Sequence, residues 1–375
     1  NSFGHMHRWF DHERYRSMAE IDQPFRAPWG DMLPPFSLSP AVPESLTFLD
    51  GLFAELLPNF TSDQFNVGCD ETFDLGLGKS RALVEERGKG RVYLDFLLEI
   101  YRLVQKHGRR MQFWGDIINQ YPELVPEVPK DMVALEWGYD GDYDFERTTR
   151  LFAESGLPFY VCPGTSSWNS ISGRTDNCIE NIRNAAYHGR ARGAAGLLNT
   201  DWGDHGHWQT LPVSYLGFAW GAALSWAYDA NASADLPQLL DLYAFEDEAG
   251  VMGRLAYDLG NIYQVLGRPG NMLFNAYVSP LKPEVKLDKG IRPRLYRALA
   301  MIDEIMAPLD RAKMAAPDAD LIKREFAHAA EMLRHGAKLA LFQLEGTALS
   351  ADALAEELDA IITEHRAVWL ARNRP

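Results

Sequence analysis

Phe65-Asn66-Val67-Gly68-Cys69-Asp70-Glu71 decides the reading of this chain. A short apolar run ends in two adjacent carboxylates, which are costly at the end of a buried strand. Neighbouring side chains on a strand face opposite ways. Where the strand turns into a loop, both can reach one cleft. Carboxylates held close push their pKa values apart, so one keeps a proton while the other stays ionised. Glycoside hydrolysis uses such a pair, one group protonating the leaving oxygen and one facing the developing charge. The plainer alternative is that Asp70-Glu71 starts a helix, since acidic residues favour helix N-termini. Gly68, the apolar run and four similar strand ends further on favour catalysis.

The other strand candidates are Arg110 to Trp114, Met132 to Glu136, Pro158 to Cys162 and Ala195 to Asn199, after Phe65 to Cys69. Amphipathic stretches lie between them. Arg91 to Lys106 carries Val92, Leu94, Phe96, Leu97, Ile100, Leu103 and Val104 at helical spacing. Phe145 to Ser155, Asp176 to Gly189 and Pro212 to Tyr228 read alike. Alternation of strand and helix predicts a parallel sheet. Each strand delivers polar and aromatic residues at its C-terminal end: Asp70-Glu71, Trp114-Gly115-Asp116, Glu136-Trp137-Gly138-Tyr139, Thr165 to Asn169, and Asp201 to Trp208. That distribution predicts an α/β chain of the (β/α)8 barrel type. A doubly wound sheet would concentrate ligand groups at one switch point behind a glycine-rich phosphate loop, and no such loop is present.

From about Ala230 strand signals fade. Leu236 to Leu266, Arg292 to Ala312, Asp318 to Glu345 and Ser350 to Arg372 read as helices, punctuated by Pro269, Gly270, Pro280, Pro283, Gly290 and Pro317. Asp318 and Ser350 suit helix starts, and Trp226 and Trp369 read as packing residues. The expected organisation is a catalytic barrel region over 1–229 and a helical region over 230–375.

The chain has 375 residues and a net charge of −15, with 46% hydrophobic and 24% charged residues. This is a globular composition. The charge repels phosphate backbones and argues against nucleic acid as a partner. No apolar run approaches the roughly 18 residues of a membrane span, so no membrane partner is expected. Cys69, Cys162 and Cys178 form neither a disulfide framework nor a zinc site, which suggests a reducing, cytoplasmic setting. His205 and His207, with Asp201 and Asp204, lack a third ligand at metal-site spacing and read as cleft-lining. Ser166 and Ser167 have no nucleophile elbow around them.

Asn66-Val67-Gly68-Cys69-Asp70-Glu71 resembles the His-x-Gly-Gly-Asp-Glu signature of glycoside hydrolase family 20, the β-N-acetylhexosaminidases. Gln112-Phe113-Trp114-Gly115-Asp116, Leu135-Glu136-Trp137 and Asp201-Trp202-Gly203-Asp204 are similar to that family's next strand ends, and Phe3-Gly4-His5 to its Pro-Gly-His. The likeness covers about residues 1–228. It implies a retaining, substrate-assisted mechanism on terminal β-linked GlcNAc or GalNAc, with no metal or organic cofactor. Glu71 would be the acid/base and Asp70 would orient the 2-acetamido group. Trp114, Trp137 and Trp202 would wall the sugar. His5 would lie near the acid/base and Asp204 would accept from sugar hydroxyls. Asp116, Glu136 and Trp168 join them as candidate substrate contacts.

Three differences from the family stand out. Asn66 and Cys69 replace the signature's His and second Gly, and Asp204 replaces a Glu. The family's first two strands and nearly all of its third have no counterpart, so a barrel lacking its first strands, from a longer reading frame, is expected. The partner implied is an oligosaccharide or glycoconjugate, with an oligomer left open. Two other readings remain: a carbohydrate-binding relative without catalysis, and a glycosidase of a non-acetylated sugar.

Overall fold

The computed structural model describes residues 1–267, 272–278, 290–344 and 349–374. Pro269, Gly270, Pro280, Pro283 and Glu345 lie outside the described residues. In chain order the elements are α1 (His7–Phe10), α2 (Glu13–Arg16), β1 (Phe25–Arg26), β2 (Met32–Leu33), α3 (Glu44–Leu56), β3 (Gln64–Asn66), α4 (Arg81–Arg87) and α5 (Lys89–Lys106). Then come β4 (Arg110–Trp114), β5 (Val133–Trp137), α6 (Phe145–Ser155), β6 (Phe159–Cys162), α7 (Thr175–Ala191), β7 (Gly196–Leu197) and α8 (Tyr215–Asn231). The rest is helical: α9 (Leu236–Tyr243), α10 (Met252–Leu259), α11 (Ile262–Leu266), α12 (Met272–Val278), α13 (Ile291–Met306), α14 (Ala319–Phe342) and α15 (Ala351–Arg372).

The chain divides into two compact units that interleave along the sequence. One holds 1–137, 144–162 and 188–198, the other 138–143, 163–187 and 199–375. A linear boundary at 229/230 therefore does not describe them. The first unit contains an all-parallel sheet in the order β3-β4-β5-β6-β7, the strand order of a half-barrel. These are the five strands that the sequence pattern predicts. β5 is buried on both faces as Val133, Ala134, Leu135 and Glu136, which accounts for its continuous apolar reading. α5 buries Val92, Tyr93, Leu94, Phe96, Leu97, Ile100 and Val104 as one stripe. α6 starts where the Asp144 carboxylate accepts from the Arg147 N–H, and ends at Gly156 in the left-handed region.

Strand ends differ from expectation by more than one residue in β3 and β7. β3 stops at Asn66 rather than Cys69, because Gly68 and Cys69 turn to φ of 75° and 72°. The ladder still continues through Val67 N–H to the Gln112 carbonyl and Trp114 N–H to the Gly68 carbonyl. β7 is two residues long, with flanking ladder bonds from Ala195 N–H to Phe159 O and from Leu198 N–H to Val161 O.

The second unit corrects several helix expectations. Leu236 to Leu266 is three helices, not one. The break is made by Asp247, whose carboxylate accepts from the N–H groups of Ala249, Val251, Met252 and Lys313 and so caps α10. These bonds, set against burial, hold the Asp247 pKa below its ordinary value. α8 begins at Tyr215 after a single 3-10 turn containing Pro212, and breaks at Ala227 (φ −152°). α13 ends at Met306, followed by a 3-10 turn at Leu309–Arg311. Asp318 precedes α14 without capping it, its carboxylate instead pairing with Arg372 at 2.7 Å. Ser350 caps α15 as expected. Trp226 is 90% exposed, contrary to the packing role expected of it; Trp220, on the same helix, is the buried indole. Among the described residues no helix is long and apolar enough to cross a membrane.

Asp247→Ala removes a charged acceptor of four N–H groups at once and is expected to destabilise the fold by about 2–4 kcal/mol. A urea midpoint unchanged from that of the unaltered chain would contradict the capping role.

Candidate active site

Seven of the ten expected site residues, two of them indoles, fall in the first unit. Asp70 and Glu71 follow β3, and His5 reaches them from the segment before α1. His5 Nε2 lies 3.2 Å from Asp70 Oδ2 and 3.2 Å from Glu71 Oε2. Asp70 is recessed, its side chain 13% exposed, while Glu71 is 31% exposed. Burial alone would lower the His5 pKa. The hydrogen bonds to Asp70 and Glu71 outweigh it and raise the pKa to about 9. The ring is therefore an imidazolium at neutral pH, held between the two carboxyl groups.

The backbone is bent to make this possible. His5 (φ 57°), Cys69 (φ 72°) and Glu71 (φ 53°) all sit in the left-handed region. Strain of this kind persists only where the surroundings over-determine it. Here they do. Asn1 Nδ2 donates to Asp70 Oδ1 at 3.2 Å and Asn1 Oδ1 accepts from Cys69 N–H at 3.0 Å. Glu71 N–H donates to Asp116 Oδ2 at 3.1 Å. Tyr93 OH donates to the Cys69 carbonyl at 2.9 Å. Gly4 is needed because a Cβ there would stand 2.2 Å from the Asp70 carbonyl.

A second ring of carboxylates ties down the flanking loops. Asp74 Oδ2 accepts from Phe36 and Ser37 N–H, both at 3.0 Å, and the Phe36 carbonyl accepts from Met6 N–H beside His5. Buried Glu20 accepts from Ser39 Oγ, Gly78 N–H and the Ser80 backbone and hydroxyl. Asp116, β4's terminal carboxylate, has its pKa raised to about 8, first by burial and then by the Asp70 charge.

Trp114 is buried with Val133, Leu135 and Cys162, and Trp137 and Tyr160 pack against that cluster. The structure thus brings together two indoles expected as sugar walls, and it makes Tyr160 a packing residue. Glu136 is 1% exposed, and its carboxylate accepts from the Asn119 side chain, so it faces the interior rather than open solvent.

The remaining expected residues belong to the second unit. Trp168 is buried with its ring edge-on to Tyr139 at 5.1 Å, and Trp202 Nε1 donates to Tyr139 OH at 2.8 Å. Asp204 Oδ2 accepts from Asn169 Nδ2 at 3.2 Å. Asp201 Oδ1 accepts from Thr165 and Ser167 hydroxyls, and Ser167 also bonds Ser214. Ser167 is therefore part of a structural network and not a nucleophile. His205 packs on Phe274 and His207 on Trp369.

Sequence reasoning gave no individual role to Asn1, Asn119 or Tyr139. Each acts across a long stretch of sequence, and only Tyr139 stood at a strand end where a signal could have found it. All three cysteines are buried, and burial pushes their thiol pKa values up, away from nucleophilic use. Among the described residues, His5, Asp70 and Glu71 are the one group of three or more His, Cys, Asp or Glu residues whose ligand atoms lie within 4.8 Å of one another.

Residues 4–172 match the glycosyl hydrolase family 20 catalytic domain. This segment belongs to that family. The family-20 match spans His5, Asp70, Glu71, Trp114, Asp116, Glu136, Trp137 and Trp168, whereas Trp202 and Asp204 lie beyond it. Among solved structures, the chain is similar to a GH20 exo β-N-acetylglucosaminidase from Vibrio harveyi in complex with N-acetylglucosamine. Identity is 22% and the TM-score 0.32, over 42% of this chain and 24% of that one. A β-N-acetylhexosaminidase from Bacteroides fragilis shows 17% identity and a TM-score of 0.35, over 45% and 36%. A chitobiase from Flavobacterium johnsoniae shows 12% identity and a TM-score of 0.45, over 98% and 65%. The chain thus spans between a quarter and two thirds of the length of these structures. Comparison with curated protein sequences gives no match.

His5 and Asp116 are two groups of the site whose shifts make stability fall as pH rises. His5 binds its proton more tightly folded (about 9) than unfolded (6.5), so its pairing is fully present below pH 6.5 and lost toward pH 9. Asp116 keeps its proton in the fold to about pH 8 against an ordinary 3.8, so its burial costs stability progressively between those values and no further above them. A lower urea midpoint at pH 9 than at pH 6 is expected, worth about 1–2 kcal/mol for His5 after allowing for solvent screening of a part-exposed ring. The drop should shrink in a His5→Gln, Asp116→Asn chain. A midpoint that rises with pH in the unaltered chain would contradict these protonation states.

Proposed function

We propose that this chain carries the catalytic centre of a retaining β-N-acetylhexosaminidase, with Glu71 as acid/base and Asp70 orienting the sugar's 2-acetamido group. The supporting observation is the His5–Asp70–Glu71 cluster inside the family-20 segment. Carboxylate oxygens of Asp70 and Glu71 come within 4.8 Å.

Asp70 has both oxygens engaged, one by Asn1 and one by His5. That blunts it as a nucleophile and suits it to accept the acetamido N–H. The nucleophile is then the substrate's own acetamide oxygen. It bonds to the anomeric carbon as the bond to the leaving oxygen breaks and Glu71 gives that oxygen a proton. Glu71, the more exposed of the two, stands where a leaving group and later a water can reach it. It then takes a proton from water, whose oxygen displaces the acetamide at the anomeric carbon. The His5 ring reaches both groups and aims them. Trp114 and Trp137 would supply apolar walls. Sugar contacts by Trp168, Trp202 and Asp204, and a division of labour between 1–229 and 230–375, rest on the sequence resemblance alone.

Glu71→Gln should lower kcat by about 10³-fold on substrates with poor leaving groups, and by much less on activated aryl glycosides that need no proton. Asp70→Asn should cost about 10²-fold or more on both. Steady-state rates on the two leaving-group classes separate the roles. Unchanged turnover in both variants would refute the assignment.

A further inference from the structure

We propose that Trp29, seated on Phe73, is a shelf that binds the leaving-group sugar ring of an oligosaccharide substrate. This rests on Glu71 being the acid.

The shelf is built rather than incidental. Trp29 stands at the tip of the β1–β2 hairpin, where Gly30 N–H donates to the Ala27 carbonyl and Ala27 N–H to the Asp31 carbonyl. Pro28 and Gly30 occupy the second and fourth places of that turn, as a type I turn favours, and Arg26 Nη1 donates to the Gly30 carbonyl at 2.9 Å. The tip is thus fixed, and it holds an indole 56% exposed. One side of that indole meets the Phe73 ring edge-on, centroids 5.1 Å apart and planes at 82°.

Phe73 links the shelf to the chemistry. It lies two residues beyond Glu71, its N–H donating to the Glu71 carbonyl at 2.7 Å. Its ring is 6.1 Å from Phe36, whose ring is 4.5 Å from His5, which in turn touches Glu71 Oε2. An aromatic path therefore leads from the proton donor to an open indole. The group that departs with the Glu71 proton leaves on the acid's side of the scissile bond. A pyranose offers an apolar C–H face that an indole can cover, with hydroxyls at its rim for polar groups such as the Arg26 guanidinium.

The test compares the β-linked N-acetylglucosamine disaccharide, which has a leaving-group sugar, with N-acetylglucosaminyl fluoride, which has none. Trp29→Ala should lower the ratio of kcat/KM for disaccharide over fluoride about three- to tenfold, mainly through KM, and Trp29→Phe should recover much of it. A ratio unchanged in Trp29→Ala, with the unaltered chain active on both substrates, overturns the shelf and leaves the hydrolase reading intact. If the unaltered chain hydrolyses neither, that reading fails, and calorimetric titration still decides the shelf. Disaccharide should bind more tightly than N-acetylglucosamine with Trp29 present, and equally when it is Ala. Equal binding of the two sugars by the unaltered chain overturns the shelf.

Discussion

Two carboxylates on adjacent residues repel one another, and everything around Asp70 and Glu71 answers that constraint. The His5 imidazolium lies between them at 3.2 Å from each. Bringing it there requires Gly4, because the His5 segment passes against the Asp70 carbonyl where no Cβ fits. It also requires left-handed backbone at His5, Cys69 and Glu71. Non-glycine residues adopt that conformation at a cost of order 1–3 kcal/mol each. The offsetting bonds come from Asn1, Tyr93 and Asp116, and behind them Glu20 and Asp74 bind the flanking loops through backbone N–H groups. Local strain at the cluster is carried by a rigid surround.

That division between local and distant causes explains what the sequence made legible. The strand order and the ends of α6 could be read because alternation, burial pattern and caps such as Asp144 and Gly156 act within a few residues. Asp70 and Glu71 could be read because two carboxylates ending an apolar run are costly without a use. Asn1 and Asn119 were not legible, since their partners lie 68–69 and 17 positions away and no local pattern marks them. The single helix expected over Leu236 to Leu266 failed for a similar reason. Asp247 gathers backbone donors from both 249–252 and Lys313, and this tertiary cap overrides a continuous apolar period. Trp226 shows the limit of residue-type reasoning, for its helical setting suggested packing and it stands almost wholly exposed.

Placement also refines roles that residue type alone left open. Asp116 is a candidate substrate contact in the sequence, and its bond to the Glu71 N–H adds a loop-orienting role. Glu136 shared a strand end with Trp137, yet the two side chains diverge as alternation requires, one carboxylate held inward by Asn119 and one indole packed toward Tyr160. In the second unit Asp201, absent from the expected contacts, organises Thr165, Ser167 and so the loop that carries Trp168.

The central claim is that the substrate's acetamide, not a protein carboxylate, attacks the anomeric carbon. The most direct measurement compares hydrolysis of an aryl β-N-acetylglucosaminide with that of the aryl β-glucoside differing only at the second carbon. Turnover confined to the N-acetyl sugar is the predicted result. Equal turnover of the two would contradict the claim, because a glucoside has no acetamide to supply the nucleophile.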